Sequence, residues 1–177
     1  IKNKNIKIIN LNILKISQIK KLLSKYSPDI IFYFAGLSSP NLSFKKPRET
    51  YLSNFVGCSN FLKIIKKNHP NCKFLNANSC EIFAKSNKKL NINSNKKPIS
   101  PYGKSKLLSF NLTKKFRNQH MIKTYNAVIF NTESIYREKN YLIPKICNSA
   151  ILAYKYNTKT YFGNLDIARE WNWCDEQ

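Results

Sequence analysis

Apolar residues fall along this chain in two alternating textures. Short continuous runs read as buried strands: Asp29 to Ala35, ending at Gly36, and Cys72 to Ala77, ending at Asn78 and Ser79. A third run spans Thr124 to Phe130, and a weaker one Lys7 to Leu11. Strands apolar on both sides suit a sheet covered on both faces. Between them the apolar positions recur at helical spacing. Ile16, Ile19, Leu22 and Leu23 form one stripe, closed by Pro28; Phe55, Cys58, Phe61, Leu62 and Ile65 form another, stopped near Pro70. Leu107, Leu108, Phe110, Leu112 and Phe116 mark a third helix after Tyr102 and Gly103, and a fourth runs roughly from Pro144 to Tyr156. The polar stretch from Lys85 to Lys97 reads as a surface loop. Strand alternating with helix predicts an α/β fold with a parallel sheet and right-handed crossovers.

The chain has 177 residues, of which 42% are hydrophobic. That suffices for one domain with a core, or one domain and part of another. Charge is the unusual quantity: Lys+Arg 31 against Asp+Glu 9, a formal net of +22. Such a charge attracts polyanions. The lysines are scattered among Asn and Ile along the whole chain, which reads as a compositional bias on solvated faces. No basic-aromatic RNA-binding signature and no zinc-finger spacing occurs. Neither a nucleic-acid partner nor a metal is expected. The five cysteines form no C-x-x-C pair, which suggests reduced thiols and a cytoplasmic location. No run of about eighteen apolar residues predicts a membrane helix. The chain opens Ile-Lys-Asn-Lys, without Met or a signal-peptide layout, so the natural start is expected upstream.

A dinucleotide-binding fold normally begins with a strand, a Gly-rich turn and a helix, because glycines let backbone approach a pyrophosphate. The four glycines here, Gly36, Gly57, Gly103 and Gly163, are too far apart to build that turn. Either the fold is a different one or its first βαβ unit is absent.

Tyr102 and Lys106 favour the second alternative. Four residues apart at the head of a predicted helix, they share one helical face. A free phenol has a pKa of about 10, and a nearby ammonium favours the phenolate. Such a pair can take a proton from a sugar hydroxyl. Ser79 and Glu81 follow the second apolar run, at the sheet edge where α/β proteins bind ligands. The Ser79 hydroxyl can share the Tyr102 proton, and Glu81 supplies a carboxylate for acid–base work.

These residues resemble the extended short-chain dehydrogenases. Ala35, Gly36, Leu37 and Ser38 are similar to that family's Ala-Ala/Gly-Gln-Ser loop, and Pro47, Asn54, Gly57 and Asn60 to its next helix. Asn12, Ile13 and Leu14 stand where the family has Asp-Leu/Ile near the cofactor adenine. Two later segments narrow the resemblance to the GDP-mannose 4,6-dehydratases. Phe130 to Arg137 resembles Phe-Asn-His-Glu-Ser-Pro-x-Arg, and Gly163 to Trp171 resembles Gly-Asn-Leu-Asp-Ala-x-Arg-Asp-Trp. The likeness runs from Asn12 to Trp171. Departures are Leu37 for Gln, Asn12 for Asp, Thr132 for His, Ser79 for Thr, and an unrelated tail after Trp171.

The resemblance implies a Rossmann-like doubly wound parallel sheet lacking its first βαβ unit. Residues 1–130 would form a partial dinucleotide-binding domain, and 131–177 the start of a nucleotide-sugar-binding region. It implies catalysis by Ser79, Glu81, Tyr102 and Lys106. Cofactor contacts would come from Asn12, Ile13, Ala35, Gly36, Ser38, Lys106 and Arg137, and substrate contacts from Asn131, Glu133 and Arg169. The implied cofactor is NADP, with NAD as the alternative, and the substrate GDP-mannose or a related nucleotide sugar. The family also implies a dimer or tetramer. A nucleotide-sugar epimerase or decarboxylase, an inactive remnant and a nucleic-acid-binding module are the rival readings.

Overall fold

A computed structural model describes residues 5–139, 141–163, 165–166 and 168–176. The chain divides into two compact units, one running to Val128 and the other starting at Ile129.

In the first unit, helix α1 (Ile16–Tyr26) buries Ile19 and Leu23. It stops where Ser27 turns left-handed (φ 40°) and donates its N–H to Leu23 O. Strand β1 (Ile30–Tyr33) follows, then two short helices, α2 (Pro40–Lys45) and α3 (Pro47–Tyr51), each opened by a proline. A π-helical turn over Leu52–Val56 leads directly into helix α4 (Gly57–Asn68). Strand β2 (Lys73–Ser79), helix α5 (Pro101–His120) and strand β3 (Thr124–Ile129) complete the unit. The strands lie in the order β1-β2-β3. β1 and β2 are parallel, with Ile30 opposite Lys73 and Tyr33 opposite Asn76. The α/β class and the parallel arrangement are as the apolar runs predict.

One core joins α1, α4, α5 and the sheet: Ile19, Leu23, Tyr33, Phe61, Leu62, Ile65, Phe74 and Phe116 are buried together. Side chains alternate across a strand, so Ile31, Tyr33 and Ala35 meet these helices. Their neighbours Ile30, Phe32 and Phe34 emerge on the opposite face, where Phe32 is 60% and Phe34 64% exposed. The described residues thus cover one face of β1, although its composition suits cover on two. The weak run from Lys7 to Leu11 forms no strand, and Ile8 is almost fully exposed. A ladder needs a neighbouring edge, and no described strand pairs with this segment.

β2 carries a buried amide network on the side facing α5. Asn76 Nδ2 donates to Thr113 Oγ1 (3.2 Å) and Asn126 Oδ1 (3.2 Å), and Asn78 Nδ2 to the same Asn126 Oδ1 (2.7 Å). Asn126 Nδ2 closes the set on Phe110 O (3.1 Å). The network ties β2, β3 and α5 in one register.

Gly36, three residues past β1, adopts φ 137°, which L side chains rarely adopt. A Cβ there would lie 1.7 Å from Asn54 Oδ1. Gly36→Ala therefore adds backbone strain to a clash with a buried side chain. We expect it to lower stability by about 2–5 kcal/mol, read as a drop in the urea unfolding midpoint. A midpoint equal to the parent's would show that the loop relaxes freely.

The second unit pairs two three-residue strands in parallel, β4 (Asn131–Glu133) and β5 (Trp171–Trp173). Between them lies helix α6 (Leu142–Tyr156), which ends at Asn157 with φ 53°. No disulfide joins the five cysteines, all of which are among the described residues. No helix among the described residues is long and apolar enough to cross a membrane.

Candidate active site

Four side chains singled out by sequence converge at the carboxyl end of β2. Ser79 is the last residue of that strand, and a 3-10 turn over Cys80–Ile82 follows at once. The Glu81 N–H donates to Ser79 Oγ (3.3 Å), which fixes the start of the turn. Helix α5 begins beside it. Ser100 caps α5 by accepting the Gly103 N–H (3.0 Å), and Pro101 occupies the first turn. A Cβ on Gly103 would meet Glu81 O at 2.4 Å, so a residue without one lets the helix start press against the turn. That approach sets the Tyr102 phenol beside Ser79, near enough for the hydroxyl to favour the phenolate.

Lys106, one helical turn on, donates from Nζ to Ala77 O (2.8 Å) and lies 5.8 Å from the Tyr102 ring centroid. Tyr102 and Lys106 are each only 7% exposed, whereas Glu81 is half-buried. Burial lowers the Lys106 pKa to about 8, against a smaller upward pull from Cys58. Burial likewise raises the Tyr102 pKa; the neighbouring Ser79 hydroxyl opposes this, and nearby Cys80 and Glu81 add to it. The sequence predicts that an ammonium makes Tyr102 acidic. In the fold, withdrawal from water instead raises the Tyr102 pKa, and the ammonium itself is the group brought toward neutrality. Of these groups it is Lys106, at about 8, that can gain or lose a proton near neutrality.

The segments assigned to a cofactor lie around the π-helical turn and the start of α4. Ile13 O accepts from Asn60 Nδ2 (3.1 Å), while Asn12 Oδ1 turns back to accept the Leu14 N–H (2.9 Å). Gly57 leaves room for this loop: a Cβ there would lie 2.7 Å from Ile13 Cδ1. Ala35, Gly36 and Ser38 follow β1, with Gly36 and Ser38 exposed. Leu37 O accepts from Asn54 Nδ2 (3.1 Å) and the Leu37 N–H donates to Ser53 Oγ (3.4 Å).

The second unit divides its four predicted residues between two cavities. Asn131 and Arg169 share one of about 830 Å³, whose walls include Ile146, Phe162, Leu165 and Trp171. Asn131 Nδ2 is anchored on Glu170 O (3.0 Å), and Arg169 Nη1 on Ala168 O (2.9 Å). Glu133 and Arg137 line the other, of about 390 Å³. The resemblance gives these two residues to different ligands, yet the structure pairs them. Arg137 Nε lies 3.6 Å from Glu133 Oε1, and the guanidinium carbon lies 3.6 Å from the Tyr141 ring centroid. The Glu133 carboxylate is buried without a hydrogen-bond partner.

A sequence model described as GDP-mannose 4,6 dehydratase matches residues 1–177, the entire chain. The chain belongs to the GDP-mannose 4,6-dehydratase family. Among curated relatives, it is 27% identical to the human GDP-mannose 4,6 dehydratase over 155 residues, covering 85% of this chain and 42% of that protein. It is 24% identical to GDP-mannose 4,6 dehydratase 1 of Arabidopsis thaliana over 165 residues, covering 90% and 46%. It thus spans less than half the length of either relative. Among solved structures, RMD from Pseudomonas aeruginosa complexed with NADPH superposes with TM-score 0.83 at 19% identity, covering 95% of this chain and 59% of that one. The dTDP-glucose 4,6-dehydratase of Streptomyces venezuelae with NAD and DAU bound gives TM-score 0.81 at 18% identity, covering 94% and 50%. These likenesses bear on fold alone, which is the Rossmann-like fold of the dehydratases and epimerases.

Sequence reasoning assigned no role to three buried residues in this part of a GDP-mannose 4,6-dehydratase family chain. Cys58 lies close enough to Lys106 to alter its protonation. Ser105 and Asn54 form a buried hydrogen bond (3.0 Å). The available signal was a polar residue inside an apolar helical stripe, which folded chains retain when it is hydrogen-bonded.

Proposed function

We propose that this chain carries the acid–base machinery of a GDP-mannose 4,6-dehydratase, which forms GDP-4-keto-6-deoxymannose and water. The observation that supports this best is Glu81 on the turn directly after Ser79, against the helix start that bears Tyr102, in a chain of this family. A simple 4-epimerase has no use for that carboxylate. Residues to about 130 act as the dinucleotide-binding part, and 131–177 as the start of the nucleotide-sugar part.

The cofactor in this reading is NADP, with NAD as the alternative. When bound, it supplies a reversible hydride acceptor. The residues present suit its nicotinamide end: exposed backbone at Gly36, and a Lys106 ammonium that spends one of its three donors on Ala77 O. Asn12, Ile13, Ala35, Gly36, Ser38 and Arg137 complete its contacts. The chain's glycines supply no phosphate-binding turn of their own.

The protein residues then manage protons. Tyr102 takes the proton from the mannose O4, with the Lys106 ammonium one helical turn away. Ser79 hydrogen-bonds the same oxygen. Once C4 is a ketone, the C5 proton is acidic, and Glu81 removes it. Glu81 returns that proton to the C6 hydroxyl, which departs as water; C6 would then recover the hydride taken from C4, and C5 the proton held by Tyr102, which balances the reaction. Asn131 and Arg169 hold the nucleotide diphosphate in the larger cavity, where an Arg fork matches phosphate oxygens. Glu133 contributes a further substrate contact.

The test is incubation of the full-length protein with GDP-mannose, UDP-glucose and UDP-glucuronate, each with NADP or NAD. Product masses are then read. Loss of one water from GDP-mannose alone is the expected result. Unchanged mass with an altered sugar configuration would make it an epimerase, and loss of carbon dioxide from UDP-glucuronate a decarboxylase. No product with any of them would make the chain an inactive relative.

A further inference from the structure

Asn54 sits in the π-helical turn, 1% exposed, between two segments that the proposed chemistry needs held in place. A π turn rotates side chains away from ordinary helical positions. Here it aims Asn54 inward. The amide has two N–H donors, and both are used: one on Leu37 O (3.1 Å), the other on Ser105 Oγ (3.0 Å). Ser105 Oγ donates in turn to Tyr102 O (2.7 Å). A continuous hydrogen-bonded path therefore runs from the backbone of the Ala35–Ser38 loop to the backbone of Tyr102.

The rest of the surroundings leaves the amide no other pose. Asn54 Oδ1 has no hydrogen-bond partner and abuts Gly36, where a Cβ would lie 1.7 Å away. The turn itself is braced. Tyr33 Oη donates to Ser53 O (2.6 Å), and Ser53 Oγ receives the Leu37 N–H (3.4 Å). Leaving a buried amide oxygen unsatisfied costs about 1–3 kcal/mol. The fold tolerates this where the two donors do their work.

We propose that Asn54 is a positioning residue that locks the Ala35–Ser38 loop to the Tyr102–Lys106 helix start. It thereby fixes the distance between a bound nicotinamide cofactor and the proton-transfer group. The inference rests on the reading of these two segments as cofactor loop and catalytic helix. Its first test does not depend on turnover.

Two variants of the full-length protein separate the cases. Asn54→Asp keeps the shape but removes both donors. Ser105→Ala leaves the loop bond and cuts only the helix branch. Amide hydrogen exchange is compared across three peptides: 34–39, 100–107 and, as a reference for global opening, 73–77. In Asn54→Asp, exchange in the first two peptides should rise about tenfold or more, with the reference within about twofold. In Ser105→Ala only the 100–107 peptide should rise. Where the parent turns over a nucleotide sugar, Asn54→Asp should lower kcat by about 10–100-fold, as small misplacements of reacting groups do. KM for the sugar should stay within about threefold. Equal acceleration in all three peptides, or none in the loop and helix, would overturn the positioning role. A parent without turnover would sink the enzymatic reading, and the exchange pattern would still decide whether Asn54 couples the two segments.

Discussion

Glu81→Gln in the full-length protein is expected to lower water elimination from GDP-mannose by about 10²–10⁴-fold, the usual contribution of one general acid–base group. Nucleotide-sugar binding should stay close to the parent's. The substitution is clean because of how Glu81 is held. Its backbone N–H is tied to Ser79 Oγ, and its carbonyl packs where Gly103 leaves space. Neither contact uses the carboxylate. Gln preserves both, together with the side chain's length, and removes the ability to carry a proton along with the charge that helps raise the Tyr102 pKa. The most direct readout is solvent deuterium appearing at C5 of the sugar in heavy water, alongside product mass. Loss of exchange and of product with retained binding supports the assignment. Parent-like turnover would remove Glu81 from the chemistry and return the proton transfer to Tyr102 or to solvent.

Lys106→Met should abolish activity and, at neutral pH, stabilise the fold. A lysine titrates at 10.5 when free, and burial brings Lys106 to about 8. That gap corresponds to roughly 3 kcal/mol disfavouring the charged group in the folded chain at pH 7. Losing the hydrogen bond to Ala77 O returns about 1 kcal/mol, which leaves a net gain of roughly 2 kcal/mol.

The pH dependence gives the sign. Between pH 8 and 10.5 the unfolded chain binds more protons at this position than the folded one. Lys106 therefore favours folding more as pH rises through that window, and its penalty is complete below pH 8. Cys58, raised to about 12 by burial against a smaller downward pull from Lys106, acts in the opposite direction above pH 9, so the comparison is cleanest from pH 7 to 9. The quantity to compare is the difference between the two urea midpoints. It should be largest below pH 8 and shrink toward pH 10.5. A difference that does not vary with pH would mean that Lys106 keeps an ordinary amine's titration. Such a residue, harmful to stability where it sits, is what a proton-transfer site requires and a packing site does not.

Much of the scaffold was legible in the sequence. The runs at Ile30–Tyr33, Lys73–Ser79 and Thr124–Ile129 are strands, and the stripes at Ile16–Tyr26, Gly57–Asn68, Pro101–His120 and Leu142–Tyr156 are helices. Each is long or apolar enough to impose its own period. The failures are short or depend on partners. Lys7 to Leu11 alternates like a strand but finds no described edge to join. The parallel pairing of Asn131–Glu133 with Trp171–Trp173 was invisible, because three residues carry no period and their partners lie far along the chain.

The candidate site residues divide in the same way. Spacing alone placed Tyr102 and Lys106 on one face of a helix, and position after an apolar run placed Ser79 and Glu81 at a strand's carboxyl end. Those are properties of nearest neighbours along the chain, which sequence states directly. Which effect governs Tyr102, how far Lys106 is lowered, that Glu133 meets Arg137, and that Asn54 bridges a loop to a helix were decided only by the fold. Each depends on how much water is excluded around a group and on which distant residue fills the space. Both are set by packing between segments whose separation along the chain carries no information about their contact.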